Sequence, residues 1–83
     1  MQVKFFAYLR DYTKCSETDV QMAPTVGDLI RILGERYGPK LGGDSGAEIV
    51  IMVNGRHVAH LGGTDTPLKD DDIVQIFPLV AGG

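Results

Sequence analysis

Apolar and polar positions alternate from the start of the chain. Val3, Phe5, Ala7 and Leu9 fall on one side and Lys4, Phe6, Tyr8 and Arg10 on the other, the period of a strand with aromatic residues on both faces. Polar Asp11–Ser16 predicts a turn, and alternation returns over Thr18–Met22 with Val20 and Met22 on one side, the second arm of a hairpin. Pro24 stops that strand. Thr25 then stands three residues before Asp28, the spacing of a helix cap with an acid in the first turn. Val26, Leu29, Ile30, Leu33 and Tyr37 recur at three- and four-residue spacing, while Asp28, Arg31, Glu35 and Arg36 take the other side. The pattern predicts one amphipathic helix that runs to a stop at Gly38-Pro39.

Lys40–Ala47 has no periodicity and is rich in glycine, which predicts a loop. Ile49–Val53 is a continuous apolar, β-branched run expected as a buried central strand, and Asn54-Gly55 is a strong hairpin signal with Arg56–His60 as the returning arm. Residues 62–67 read as a loop, Asp70–Asp72 as a turn, and Ile73–Phe77 as the last strand with Val74 and Ile76 facing the core. Pro78 has no N–H for a sheet ladder, so pairing should weaken or stop there. The order strand, strand, helix, strand, strand, strand predicts an α+β fold: one mixed sheet of about five strands with one main helix packed across a single face, the ubiquitin-like β-grasp arrangement. Residues 1–78 form the domain in this reading, and residues 79–83 a flexible tail.

Composition narrows the class. A chain of 83 residues, 43% hydrophobic and 23% charged, is long enough for one compact core. Cys15 is the only cysteine, which excludes an internal disulfide and a multi-cysteine zinc site and suits a reducing compartment. The opening residues alternate instead of placing a basic start before a long apolar core, so no signal peptide is expected. The longest apolar run, Ile49–Val53, is far short of the roughly 20 residues that span a bilayer. A formal net charge of −3 with scattered Lys and Arg argues against nucleic acid. The chain reads as cytoplasmic, with no membrane partner.

Most candidate chemistry is thin. His57 and His60, three apart on a predicted strand, should point to opposite faces and hold no metal together. Asp70-Asp71-Asp72 lacks the alternating carboxylates, central Gly and closing Glu of a calcium loop. Cys15 has Lys14 beside it but no histidine near in sequence to act as a base. Gly42–Gly46 lacks the Lys-Ser/Thr ending of a phosphate loop. No metal site is expected.

The terminal Gly82-Gly83 remains. Without Cβ atoms the pair can thread a channel too narrow for side chains. The Gly83 carboxylate, with an ordinary pKa of about 3.5, is ionised at neutral pH and inert toward nucleophiles until activated as a mixed anhydride. ATP would supply that activation through attack on the α-phosphorus, and a sulfur donor could displace AMP to leave a thiocarboxylate. Five extended residues, Leu79, Val80, Ala81, Gly82 and Gly83, reach about 17 Å at roughly 3.4 Å each.

In Lys4–Arg10, Thr25–Leu29, Val53-Asn54-Gly55 and above all Pro67–Gly83, the chain resembles the MoaD/ThiS-like sulfur carriers, and within them the small subunit of molybdopterin synthase. Asp71 stands where the family prefers Gly in a turn, which implies a strained turn, and Leu79 follows Pro78 where a second proline is usual. The long His60–Pro67 loop is similar to archaeal-type carriers. The resemblance implies a carrier that is no enzyme by itself and binds no permanent cofactor. A ubiquitin-activating-like adenylyltransferase would use ATP to charge Gly83. The large subunit of molybdopterin synthase would receive Pro78, Leu79, Val80, Ala81 and Gly82, and sulfur would pass to a pterin precursor of the molybdenum or tungsten cofactor. The alternative it leaves open is a carrier of another sulfur pathway, or a ubiquitin-like modifier conjugated through Gly83. Residue parity adds Phe6, Tyr8, Ile73, Phe77 and His57 on the sheet face away from the helix, as a docking patch or as side chains that cover one another. Arg10 would pair with a partner carboxylate or lie solvated.

Overall fold

The computed structural model describes residues 1–38, 41 and 49–78. Five strands form one mixed sheet: β1 (Gln2–Phe5), β2 (Glu17–Asp19), β3 (Ile49–Val53), β4 (Arg56–His57) and β5 (Ile73–Pro78). Their spatial order is β2-β1-β5-β3-β4, with β1 and β5 parallel at the centre and the other pairs antiparallel. The main helix, α2 (Val26–Tyr37), packs its apolar stripe on one face, which is the expected β-grasp.

Capping sets where α2 begins and ends. Thr25 is extended at φ −135°, and its Oγ1 accepts the Asp28 N–H at 3.2 Å while donating to the Asp28 carboxylate at 2.8 Å. The helix stops at Gly38, whose φ of 106° few L-residues adopt and whose N–H reaches the Gly34 carbonyl at 2.9 Å. A Cβ at Gly38 would also lie 2.5 Å from the Tyr12 hydroxyl, so a larger residue would have to displace that ring as well as adopt the positive φ.

Val26, Leu29, Ile30 and Leu33 bury the expected stripe against Val3 and Phe5 of β1, Val74 and Ile76 of β5, and Ile51 and Val53 of β3. Each of these side chains contributes about 1.5–3 kcal/mol through burial. The Phe5 and Tyr37 rings meet edge to face with centroids 5.6 Å apart. The expected Lys40–Ala47 loop lies outside the described residues except for Leu41, which is fully buried in this core.

Several expectations are corrected. β1 ends at Phe5, not Leu9. Phe6 still gives its N–H to the Ile76 carbonyl, but Ala7 turns the chain at φ 55° and ψ −138° into a short helix, α1 (Tyr8–Thr13), where the end of the strand and the start of the Asp11–Ser16 turn were expected. Leu9 and Thr13, one turn apart, are the residues of α1 that enter the core, and Ala7 is exposed. β2 is shorter than expected. Val20 is buried, but Met22 sits at φ 63° and is 88% exposed because the chain has already left the sheet.

β4 covers only Arg56 and His57, after which Val58–His60 winds into a 3₁₀ turn. Asp71 has no positive φ, so the strain expected of a glycine position is absent. β5 runs through Pro78, opposite Ile49, and residues 79–83 lie outside the described residues.

Candidate docking face and tail exit

Strand register decides which side chains share the face that α2 leaves open. Gln2 pairs with Ile73 and Lys4 with Gln75 across β1 and β5. On the other side Phe77 pairs with Val50, Gln75 with Met52, and Met52 in turn with His57. Directly paired residues project to the same side, and that side is opposite to buried Val3, Phe5, Ile51, Val53, Val74 and Ile76. The open face therefore divides. Its β2–β1 part is polar, with Glu17, Asp19, Gln2 and Lys4, and its β5–β3 part is mainly apolar, with Ile73, Phe77, Val50 and Met52 around a half-buried Gln75. Gln2 and Glu17 side chains hydrogen-bond across the polar part.

Phe6 completes the apolar part. Its ring stacks on Phe77 with centroids 4.5 Å apart and planes 14° from parallel. Both rings are half-buried, and Ile73 at the far end of β5 is 42% exposed. Because β1 and β5 are parallel, Phe6, the start of α1 and Pro78 sit at one end of the sheet, where the chain leaves toward Gly83. The proposed site residues Leu79, Val80, Ala81, Gly82 and Gly83 lie outside the described residues.

Two of the sequence-derived face residues are displaced. Tyr8 is 46% exposed but belongs to α1, not to the sheet. Arg10 is likewise an exposed residue of α1, with no ion pair among the described residues. Conversely, Val50 and Met52 are half-buried members of the open face that the apolar run Ile49–Val53 concealed, since a continuous run carries no parity.

His57 takes its expected face, but its relation to His60 is corrected. The two rings lie edge to face at 5.8 Å, because the 3₁₀ turn brings residue 60 back beside residue 57. His57 Nδ1 accepts the Ala59 N–H at 3.0 Å, so that ring nitrogen is already engaged by the backbone. No group of three metal-ligating side chains occurs among the described residues.

The Asp70–Asp72 turn does structural work. Asp72 accepts the Lys69 N–H at 2.8 Å on one carboxylate oxygen and the Asn54 amide at 2.9 Å on the other, and these bonds hold its pKa below the ordinary carboxylate value. Asn54 also accepts the Ile73 N–H at 2.9 Å while its own backbone, at φ 52° beside Gly55 at φ 85°, forms the hairpin turn. The turn was legible in Asn54-Gly55; the side-chain clamp on β5 was not. Cys15 is half-buried, with Thr13 Oγ1 and the Tyr37 hydroxyl each 3.6 Å from its sulfur.

A mixed five-stranded sheet with one main helix across it and a partly apolar open face beside the end of β5 defines a ubiquitin-like β-grasp protein, and the proteins it is similar to put it in the sulfur-carrier and modifier class. More narrowly, the chain belongs to the ThiS family, whose model matches residues 3–83. Small archaeal modifier protein 3 of Haloferax volcanii is 37% identical over 90 aligned residues that cover 100% of this chain and 98% of that protein. The solution structure of small archaeal modifier protein 1 from Methanosarcina acetivorans superposes with a TM-score of 0.82 at 32% identity, covering 99% of this chain and 94% of that one. A protein provisionally named molybdopterin converting factor subunit 1, from Pyrococcus furiosus, superposes with a TM-score of 0.73 at 33% identity over 95% of each chain. No helix among the described residues is long and apolar enough to cross a membrane.

Proposed function

We propose that the chain carries sulfur on the carboxylate of Gly83, as the small subunit of a molybdopterin synthase. One observation carries this reading: the family match extends past the end of β5 to Gly83, so the Gly-Gly pair belongs to the matched sequence. Support for the synthase comes from the likeness to the Pyrococcus furiosus protein over nearly the whole of both chains.

The chemistry begins with activation. A ubiquitin-activating-like adenylyltransferase binds ATP, the Gly83 carboxylate attacks the α-phosphorus, and pyrophosphate leaves. A hydrosulfide-level donor then attacks the acyl carbon, AMP departs, and the thiocarboxylate holds the sulfur. The synthase large subunit accepts Pro78, Leu79, Val80, Ala81 and Gly82 in its channel while the Phe6–Phe77 face, with Ile73 and His57, docks outside. Arg10, on α1 at the same end and without an ion pair among the described residues, meets a carboxylate of the partner. The chain itself supplies no acid or base. Its dependence on ATP and reduced sulfur suits the cytoplasm.

A second reading has a specific observation in its favour: two archaeal modifiers match at 37% and 32% identity. On that reading a lysine amine displaces AMP, or a partner's cysteine thiol displaces AMP to form a thioester from which the amine then displaces the thiol, and Gly83 ends in an isopeptide bond.

Intact-mass measurement after incubation with ATP, sulfide and a candidate activating enzyme tests the first reading. It expects one terminal oxygen replaced by sulfur, with no change in a chain lacking Gly83. Branched Gly-Gly-lysine peptides from the source cells, with no thiocarboxylate, favour the second. Failure of every candidate activating enzyme to form an adenylate on Gly83 defeats both.

A further inference from the structure

We infer that the end of the domain opposite the tail exit is a second docking surface, built around Met22, for a protein segment that presents an apolar side chain between basic residues. A single exposed apolar residue would carry no argument. Met22 differs in two respects. Its side chain is 88% exposed although its neighbours Val20 and Ala23 are buried, and its backbone is held at φ 63°, a conformation that Gly or Asn adopts at lower cost. The position therefore pays for a large, adaptable apolar side chain in water where a small polar residue would be cheaper.

The surface beside it is shaped to use that side chain. Met22, Ala23, Pro24, Leu68 and Asp70 line a concavity of about 350 Å³. Its walls are tied together in the free protein, because the Leu68 N–H donates to the Pro24 carbonyl at 2.9 Å and Thr25 bridges to Pro67. Such a preformed groove spares a ligand the cost of ordering it.

Charge selects the occupant. Asp70 lines the groove and Asp71 follows it, both exposed and without an ion pair among the described residues. An apolar floor with a carboxylate rim favours a leucine-like anchor flanked by Lys or Arg and repels an acidic segment. The chain's own tail, Leu79–Gly83, has no charged side chain to meet that rim.

Placement gives the surface its use. β5 begins at Ile73 beside the Asp70–Asp72 turn and ends at Pro78, roughly 17 Å away at about 3.3 Å per residue. A protein held at Met22 leaves the Phe6–Phe77 end open, so the carrier can be retained by one partner while another handles its terminus. This inference does not depend on whether Gly83 ends as a thiocarboxylate or an isopeptide.

The test is an NMR titration of the full chain with two synthetic peptides, one with leucine flanked on each side by arginine pairs and one with glutamates in their place. The basic peptide should give saturable shifts of the Met22 methyl and the Ala23, Leu68 and Asp70 amides, and the acidic peptide none. Met22→Asn should weaken binding about tenfold or more, and Asp70→Asn about threefold. Asn tolerates the left-handed backbone, so Met22→Asn should melt no lower than the parent, which separates lost binding from lost fold. The inference is overturned by equal responses to both peptides, by shifts confined to the Phe6–Phe77 face, by unchanged affinity of Met22→Asn, or by no saturable shift at all. Concentration-dependent shifts at Met22 without peptide would also overturn it, by showing that a second copy covers the groove.

Discussion

The Phe6 ring lies stacked on the Phe77 ring, one from the residue that follows β1 and the other from the penultimate position of β5. Both rings are half-buried on the open face, outside the core beneath α2. Phe77→Ala should therefore cost about 0.5–1.5 kcal/mol of stability for the lost ring pair, plus the modest burial of a partly solvated ring. If this face docks a partner as proposed, affinity for that partner should fall further, by about 2 kcal/mol or more, as for an aromatic anchor. A thermal melt beside a binding isotherm measures both, and a large loss of stability with intact binding would reverse the assignment.

Ala7 stores strain. At φ 55° and ψ −138° it occupies backbone space that a Cβ disfavours, at a cost of about 1–3 kcal/mol. Ala7→Gly relieves the strain but loosens the unfolded chain, which returns about 0.4–1 kcal/mol of the gain. The expected net effect is a stabilisation of about 1 kcal/mol, read as a higher denaturant midpoint, and Ala7→Val should move the midpoint down.

Asn54 fastens the β3–β4 hairpin to the first residue of β5. Asn54→Ala would leave the Ile73 N–H and one Asp72 oxygen without this partner and would place a Cβ residue without a polar side chain at φ 52°. We expect a loss of about 2–3 kcal/mol, measured by chemical denaturation. Asn54→Asp keeps the acceptor for Ile73 but sets a second carboxylate against Asp72. Its deficit should shrink as pH falls and the carboxylates protonate, whereas that of Asn54→Ala should not.

Much of this architecture was legible in the chain, and the misses share a cause. Val74 and Ile76 alternate with polar or half-exposed residues, so parity placed them in the core correctly. The reading failed at Leu9, which satisfies two periods at once: it is an even step from Phe5 along a strand and also one helical turn before buried Thr13. The positive φ of Ala7 decides between them, and nothing in alanine advertises it. Met22 failed likewise, since alternation predicts a face only while the strand lasts. His57 and His60 were separated by assuming a longer β4, and a 3₁₀ turn reunited them. The Asp72 clamp is a long-range hydrogen-bond pattern that local spacing does not encode.

Asp72 gives the fold a defined acid sensitivity. Its pKa is lowered from 3.8, first by the Lys69 N–H and then by Asn54, so the folded state binds this proton less readily than the unfolded chain. The stability it contributes is complete above the ordinary carboxylate value and is lost as pH falls through the lower folded value. Asp72→Asn should be less stable than the parent by about 1 kcal/mol at neutral pH, and the gap should close below pH 3.8. Denaturation curves across that range would show two lines converging; a constant gap would mean the carboxylate's charge plays no part.

The parallel contact of β1 with β5, in which Gln2 lies opposite Ile73, also has a biosynthetic consequence. The segment that leaves the ribosome early must wait for nearly the last one before the middle of the sheet can close, a distant pairing that local helix formation cannot replace. A product interrupted before Ile73 would lack the strand on which both β1 and β3 depend. Only a chain that extends through β5 can then close its sheet, so the fold itself separates finished from interrupted products.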